Sequence, residues 1–155
     1  MKLVFDGVKL IAETDKILRG CTHVFMNYTT LDALKRVASQ RHEQLVHLGN
    51  PEFEEEFVIY TNAADEARSI LTTPLMEHML ELKRRRNIDM RFCFSGSHVS
   101  VDIHNFNARD PDPFDPDFDI PATDAAQAEK IFACFAFYLG IIDDLGLNAD
   151  AKAQP

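Results

Sequence analysis

The chain has 155 residues, a length typical of one domain, and its 46% hydrophobic content is sufficient for a core without disulfide or metal support. A formal net charge of −9 argues against a general nucleic-acid-binding surface, because phosphate contacts require clustered lysine and arginine with little opposing charge. The three cysteines are widely spaced and include no Cys-x-x-Cys pair, which argues against a disulfide framework or a structural zinc site and favours a reducing compartment.

The first third of the chain predicts strands around one helix. Residues 4–26 alternate β-favouring side chains around the polar cluster 13–16, which predicts a hairpin with its turn at that cluster and a bulge at Gly20 in the second strand. Apolar side chains recur at helical spacing over residues 31–44, so a helix is expected there. A short strand is expected at residues 44–48.

The middle of the chain mixes both periodicities. Glutamates at 52–56 favour a helical turn, whereas the apolar residues 57–60 favour a strand. Two helices follow, the first beginning near Asn62 or Asp65 and the second capped by Thr73 with Pro74 at its first position. Residues 88–94 and 99–103 both alternate apolar and polar side chains around Ser-Gly-Ser at 95–97, which predicts a hairpin at the centre of the sheet.

The last predicted element is a helix from Asp124 to about Leu145, because Asp124 and Gln127 have the spacing of a capping pair. Apolar residues occupy all faces of this helix between residues 131 and 142, so we expect it to be buried or shared with another subunit. The apolar run is well short of the ~20 residues that cross a bilayer, so no membrane span is expected in this chain. The N-terminus also lacks the apolar core of a signal peptide.

Together these elements predict an α+β fold, in which an antiparallel sheet of about five or six strands is covered by helices. Residues 1–148 are expected to form a single compact domain, and residues 149–155 a disordered tail.

Several mixed polar and apolar strings carry a family resemblance that periodicity alone would not produce. They are NPEFEEEF and VIY between residues 50 and 60, EAR at 66–68, LTTPLMEHMLEL at 71–82 and IIDDLGLN at 141–148. In this order they resemble the bacterial domain of unknown function 3137 family, of the soluble C-terminal type. The resemblance implies a relationship and a fold but no reaction and no catalytic residues. Longer members carry membrane-spanning segments upstream, which implies that membrane association would require segments missing here.

The polar face of residues 98–104 is the sharpest local pattern with possible chemistry. His98, Ser100, Asp102 and His104 would project from one side of a strand at ~6.6 to 7 Å intervals. Two imidazoles and a carboxylate can bind a divalent metal, with His98, Asp102 and His104 as ligands and a further ligand supplied from elsewhere. The alternative, which has more weight, is the solvated face of a half-buried strand.

The loop at residues 109–121 contains five aspartates and four prolines, and it lacks the glycine and terminal glutamate of an EF-hand loop. An extended, solvated connection is therefore favoured over a calcium site, with recognition by a basic partner as a further alternative. We assign a candidate interaction surface to apolar residues of this loop and of the last helix and to a charged pair in the EAR string: Phe114, Phe118, Phe137, Ile141, Glu66 and Arg68. Glu66 and Arg68 lie two apart on a helix, so each needs a different partner.

Two further groups have simple structural explanations. The cations at residues 83–86 end a predicted helix, where they complement the helix dipole; a phosphate or anionic-lipid contact is the alternative. Cys21 and His23 share one face of a strand, but no third group that would orient a nucleophile is recognisable, so a packed cysteine is favoured over a Cys–His site.

The sequence therefore predicts a non-catalytic interaction or sensory module, with a metal-binding domain or metal-dependent hydrolase on the His98 face as the alternative. We expect no cofactor and no tightly bound metal. The expected partner is a protein or a second copy of this chain, and no nucleic acid. The expected location is the cytoplasm, with the cytoplasmic face of the bacterial inner membrane as the alternative.

Overall fold

A computed structural model describes residues 7–27, 38–39, 41–86, 89–104 and 123–145. The chain divides into two compact units, Met1–His104 and Asn105–Pro155. The elements, in chain order, are β1 (Gly7–Met26), β2 (Gln44–Val46), α1 (Pro51–Glu56), β3 (Phe57–Thr61), α2 (Ala64–Ile70), α3 (Thr73–Arg86), β4 (Asp89–His104) and, in the second unit, α4 (Ala125–Asp144).

Within the described residues the first unit contains a four-stranded sheet in the order β2-β3-β1-β4. All of its strand pairs are antiparallel. The predicted α+β class with an antiparallel sheet is thus confirmed. The strand at residues 44–48 is also confirmed, as is the change from helix to strand between residues 56 and 57.

Both predicted hairpins are wrong, because each is a single continuous strand. The polar cluster at residues 13–16 lies inside β1, and Ser95, Gly96 and Ser97 lie inside β4. The two strands pair with each other over most of their length, and their irregular residues produce register shifts between Glu13 and Leu18 and between Leu18 and Cys21. Gly96 has φ of +59°, a conformation that suits a bulge as well as a turn. The predicted bulge near Gly20 is confirmed by the second of these shifts.

An aromatic and aliphatic core covers one face of the sheet. Phe57 of β3 stacks on Phe53 of α1 with ring centroids 4.8 Å apart and meets Phe92 of β4 edge-on at 6.3 Å. The apolar face predicted for β4 is correct, since Met90, Phe92, Phe94, Val99, Val101 and Ile103 are all buried. The error therefore concerned the chain reversal and not which side chains face the core.

The opposite face of the sheet is also partly covered. Phe25 of β1 packs with Tyr60 of β3 and with Ala38, one of two described helical residues between β1 and β2. Of the helix predicted at residues 31–44, residues 31–37 and 40 lie outside the described residues. Its predicted end is wrong, because residues 41–43 form a turn and Gln44 begins β2. Because successive side chains of a strand point to opposite faces, the C-terminal part of β1, residues 22–26, is buried on both sides.

Of the helices in the first unit, α1 begins at a side-chain cap and α2 does not. Asn50 Oδ1 accepts a hydrogen bond from the backbone N–H of Phe53 at 3.2 Å, and Pro51 opens α1. The helix α2 begins after Ala63, between the two predicted start residues, because the side chain of Asn62 is used elsewhere. The helix α3 begins at Thr73, one residue before Pro74, the predicted first position.

In the second unit, α4 has the predicted cap and the predicted end. Asp124 Oδ1 accepts a hydrogen bond from the backbone N–H of Gln127 at 3.0 Å, and the helix is terminated at Leu145. Phe132, Phe135 and Leu139 are exposed, whereas Ile141 and Leu145 are buried.

Candidate functional site

The pairing of β1 with β4 brings together two thiols and an imidazole, which we call the thiol–imidazole cluster (Cys21, His23 and Cys93). His23 lies directly opposite Cys93 in the strand register, and Cys21 shares their face two residues along β1. Cys21 Sγ is 3.7 Å from Cys93 Sγ and 3.2 Å from His23 Nε2. The potential ligand atoms of all three residues lie within 4.8 Å of one another.

The backbone at Cys21 is held by the corner between β3 and α2. Asn62 Oδ1 accepts a hydrogen bond from the backbone N–H of Cys21 at 2.8 Å, and Thr61 Oγ1 donates one to the Cys21 carbonyl at 2.9 Å. Both carboxylate oxygens of Glu66 accept hydrogen bonds from β1, from the N–H of Arg19 at 2.9 Å and of Gly20 at 2.7 Å. Side chains between the end of β3 and the start of α2 therefore form hydrogen bonds with successive backbone groups of β1 at residues 19–21, just before His23.

The close approach of β1 to the start of α2 explains why residue 20 is a glycine. A Cβ added at Gly20 would lie 2.3 Å from Ala63 Cβ and 2.8 Å from Asn62 Oδ1, far inside van der Waals contact. Only a residue without a side chain allows β1 to lie close enough for Asn62 and Glu66 to bind its backbone.

Two charged side chains lie close to Nε2 of His23. Arg41 Nη1 lies 3.0 Å from Nε2, and Glu43 Oε1 lies 3.3 Å from the same atom. The Glu43 side chain is only 4% exposed, whereas Arg41 is exposed. The imidazole also stacks on Phe25, with ring centroids 5.7 Å apart. His23 Nδ1 has no hydrogen-bond partner among the described residues.

The local contacts shift the pKa values of the two thiols in opposite directions. A hydrogen bond from Cys93, supported by one from His23, lowers the pKa of Cys21 to about 4. Its hydrogen bond to Cys21 and its own burial raise the pKa of the Cys93 thiol, which stays protonated. Burial also raises the pKa of Glu43. The two thiols of the cluster therefore differ in acidity, and Cys21 is the more acidic of the two.

This arrangement suits ligation better than nucleophilic catalysis. In a Cys–His–acid site the imidazole contacts the thiol through one nitrogen and the orienting acid through the other. Here Cys21, Arg41 and Glu43 all approach Nε2, and Nδ1 has no acid beside it within the described part of the chain. Two sulfurs and one nitrogen at these separations are instead a donor set for a soft metal ion.

The predicted polar strand face is only partly described. His98 is exposed, with Nδ1 3.4 Å from Ser97 Oγ, and it lies opposite Glu13 of β1. Asp102 is buried, and its Oδ1 lies 3.1 Å from Lys9 Nζ. The side chain of His104 lies outside the described residues, so a metal site on this face stays a prediction.

The other predicted residues fall into two groups. Glu66 binds the β1 backbone and Arg68 lies 3.3 Å from Asp65, so the two have different partners, as their spacing predicts. Ile141 is buried in the second unit, whereas the loop with Phe114 and Phe118 and the side chain of Phe137 lie outside the described residues. Their role as an interaction surface stays a prediction.

The cations that end α3 have acidic neighbours. Lys83 pairs with Glu56 and Arg84 with Glu52, both of α1, and Arg85 Nε lies 3.4 Å from Glu81 within α3. Burial lowers the pKa of Lys83. These ion pairs join α1 to α3, which favours the structural explanation of this cationic run over a phosphate contact.

Sequence reasoning missed most of the thiol–imidazole cluster. The Cys-x-His spacing at residues 21–23 was a visible signal, but the interpretation as a packed cysteine did not include Cys93 and Glu43, which the fold brings beside this pair. Cys93 lies 72 positions from Cys21 in a strand that the sequence placed in a separate hairpin. No local pattern connects Glu43 to either residue.

Comparisons with known proteins place the chain in a family without adding a reaction. Among the helices of the described ranges, none combines the length and the apolar character that crossing a membrane requires. No curated protein and no solved structure matches the chain. A family model matches residues 3–147, so the chain belongs to the family described as protein of unknown function (DUF3137).

Proposed function

We propose that this domain is a non-catalytic sensory module that binds a thiophilic metal ion, such as Zn²⁺ or Cu⁺, at the thiol–imidazole cluster. The observation that carries the proposal is the separation of 3.7 Å between Cys21 Sγ and Cys93 Sγ with His23 Nε2 3.2 Å from the first sulfur. In a tetrahedral zinc site with Zn–S bonds of about 2.3 Å, two sulfur ligands lie about 3.8 Å apart. The donor atoms therefore need little rearrangement to bind an ion.

The charges at the cluster support a divalent cation. Binding would deprotonate Cys93, so two thiolates and the Glu43 carboxylate would face the ion, with the Arg41 guanidinium as the opposing cation. These groups would nearly neutralise Zn²⁺. Because Arg41 is exposed, its side chain can move from Nε2 into solvent, and Glu43 Oε1 at 3.3 Å from Nε2 is then the nearest candidate for a fourth ligand.

The same geometry supports a binding role over a catalytic one. A nucleophilic site would need an acid at His23 Nδ1, which has no partner among the described residues. Both cysteines are partly accessible, so an ion can enter and leave, as reversible sensing requires. The proposal departs from our sequence expectation of no cofactor, because the three ligands meet only in the folded sheet.

The alternative is a metal-binding domain or metal-dependent hydrolase that uses His98, Asp102 and His104. It has weaker support, because Lys9 lies 3.1 Å from Asp102 Oδ1 and already supplies a cation to that carboxylate. Ligation at this face would require Lys9 to be displaced.

The proposal extends to cell location and partners. A site of reduced thiols is suited to the cytoplasm, on its own or at the inner face of the bacterial membrane. A sensor must also bind another molecule that responds to its metal-bound state. We propose that this molecule is a protein partner or a second copy of this chain, and not a nucleic acid.

The test is metal binding by the reduced protein, purified without chelator. We expect one equivalent of zinc by elemental analysis or on titration against a chromophoric chelator, and thiolate-to-metal charge transfer after Co²⁺ substitution. Cys21→Ser and Cys93→Ser should each weaken binding at least tenfold and reduce this absorption. Cys134→Ser is the matched control, since it removes the remaining cysteine and should leave both signals unchanged.

The comparison with His98→Gln and Asp102→Asn decides between the two sites. If metal binding is lost in these two variants and retained in Cys21→Ser, the metal site lies on the β4 face and the proposal is refuted. Binding by none of the proteins, with normal circular dichroism, would refute both sites.

A further inference from the structure

We infer that Cys21 and Cys93 form a reversible intramolecular disulfide when the domain meets a hydroperoxide, and that this oxidation abolishes metal binding at the cluster. The disulfide rests on the geometry of the two thiols alone. Its consequence for metal binding rests on the function proposed above.

The distance between the sulfurs is the first argument. Their separation of 3.7 Å must shorten to a bond of about 2.05 Å, a change that rotation of the two side chains can supply in large part. Both cysteines are partly exposed on the same face of adjacent strands, so a small oxidant can reach them. Cys21 also has the imidazole of His23 3.2 Å away, which can assist in proton transfer.

The strand register argues that the bond would be labile. Cys93 lies opposite His23, so Cys21 and Cys93 are diagonal neighbours, which in antiparallel sheets are ordinarily farther apart than a relaxed disulfide allows. Asn62 and Thr61 hold the backbone of Cys21 and limit how far it can adjust. Strained, accessible disulfides are the readily reduced ones, so cellular thiols are expected to reverse the reaction.

The chemistry balances with the hydroperoxide as the oxidant. The Cys21 sulfur attacks the peroxide oxygen, the O–O bond breaks, and Cys21 becomes a sulfenic acid while the peroxide leaves as an alcohol or as water. The sulfur of Cys93 then attacks Cys21, the S–O bond breaks, and water leaves as the disulfide forms. In total, two thiols lose two protons and two electrons, and these convert one peroxide to an alcohol and water, or to two waters when the oxidant is hydrogen peroxide.

Oxidation and ligation exclude each other because both use the same sulfurs. A disulfide has no thiolate to offer, which leaves His23 as the cluster's only strong donor. A bound ion conversely holds both sulfurs and protects them from peroxide. The cluster would thus release its metal under oxidative conditions and bind it again after reduction.

The first experiment treats reduced, metal-free protein with hydrogen peroxide, alkylates the remaining thiols and maps the peptides by mass spectrometry. We expect free thiols to fall from three to one and a cross-link between the peptides of Cys21 and Cys93, reversed by dithiothreitol. Cys134→Ser should keep the cross-link, whereas Cys93→Ser should leave a sulfenic acid at Cys21 that dimedone traps. Cross-links only through Cys134 or only between chains, or oxidation of Cys21 beyond sulfenic acid with Cys93 still free, would overturn the inference.

The second experiment separates this inference from the proposed function. Zinc affinity is measured before peroxide, after peroxide and after reduction, and a loss of at least tenfold that reduction restores is expected. Reduced protein that binds no zinc but still forms the cross-link would refute the metal function and the regulatory consequence and leave the thiol chemistry supported. Zinc binding that peroxide does not weaken would refute the inference while the metal function stands.

Discussion

Replacing Gly20 by alanine tests whether the close approach between β1 and the start of α2 stabilises the domain. The added Cβ would lie 2.3 Å from Ala63 Cβ, which belongs to a short, rigid side chain, and 2.8 Å from Asn62 Oδ1. No flexible chain end can yield to the first contact, so β1 must move away from α2. Glu66 would then lose its hydrogen bonds to the N–H groups of Arg19 and Gly20.

The expected cost is that of overpacking, about 1 to 3 kcal/mol in the free energy of unfolding. For a chain of this size, each kcal/mol lowers the melting temperature by about 2 to 4 °C. Urea denaturation followed by circular dichroism measures the change, with an unchanged m-value if only the native state is affected.

A double mutant identifies the cause. Ala63→Gly removes the closest contact and should be nearly neutral alone, because glycine is tolerated at a helix N-cap better than alanine. Combined with Gly20→Ala it should restore part of the lost stability, with a coupling of about 0.5 kcal/mol or more. Gly49→Ala is the matched control: its φ of +78° and open surroundings make any cost a backbone effect that Ala63→Gly cannot rescue. A Gly20→Ala protein within about 0.5 kcal/mol of the wild type would refute the reasoning.

Three further predictions concern the core, the Glu54 carboxylate and assembly. Phe92→Ala should cost ~3 to 5 kcal/mol because this side chain is 1% exposed, and a melting temperature within one or two degrees of the wild type would reject its place in the core. Burial tends to raise the pKa of Glu54, but hydrogen bonds from His47 and the backbone outweigh it and lower this pKa. The resulting stability is therefore present above pH 4.5 and lost as pH falls through the folded-state pKa, so urea unfolding of Glu54→Gln between pH 5.5 and 3 should depend less steeply on pH than in the wild type. Light scattering at micromolar concentration is expected to detect a homodimer formed partly by α4, which Phe135→Asp weakens because Phe135 is exposed; a strict monomer would contradict this expectation.

Local signals in the sequence determined the starts of α1 and α4 and the core-facing apolar residues of β4. Asn50 and Asp124 cap their helices because capping involves groups only three residues apart. The alternation in residues 89–103 correctly predicted which apolar side chains of β4 are buried, since the period of a strand is a local property, but it placed the buried Asp102 on the solvated face. The change from α1 to β3 likewise follows the change from glutamates to aromatic and β-branched residues.

The tertiary structure alone decided where the chain reverses and what lies beside Cys21. A Ser-Gly-Ser sequence suits a bulge as well as a turn, and pairing with β1 along most of β4 selects the bulge. The same pairing places Cys93 beside Cys21, although the two are 72 positions apart in the sequence. The side chains of Asn62 and Glu66 hold the backbone of β1, and they lie 41 to 47 positions from the residues that they bind. Such contacts depend on which strands meet and in which register, and this is a property of the assembled sheet that no window of the sequence contains.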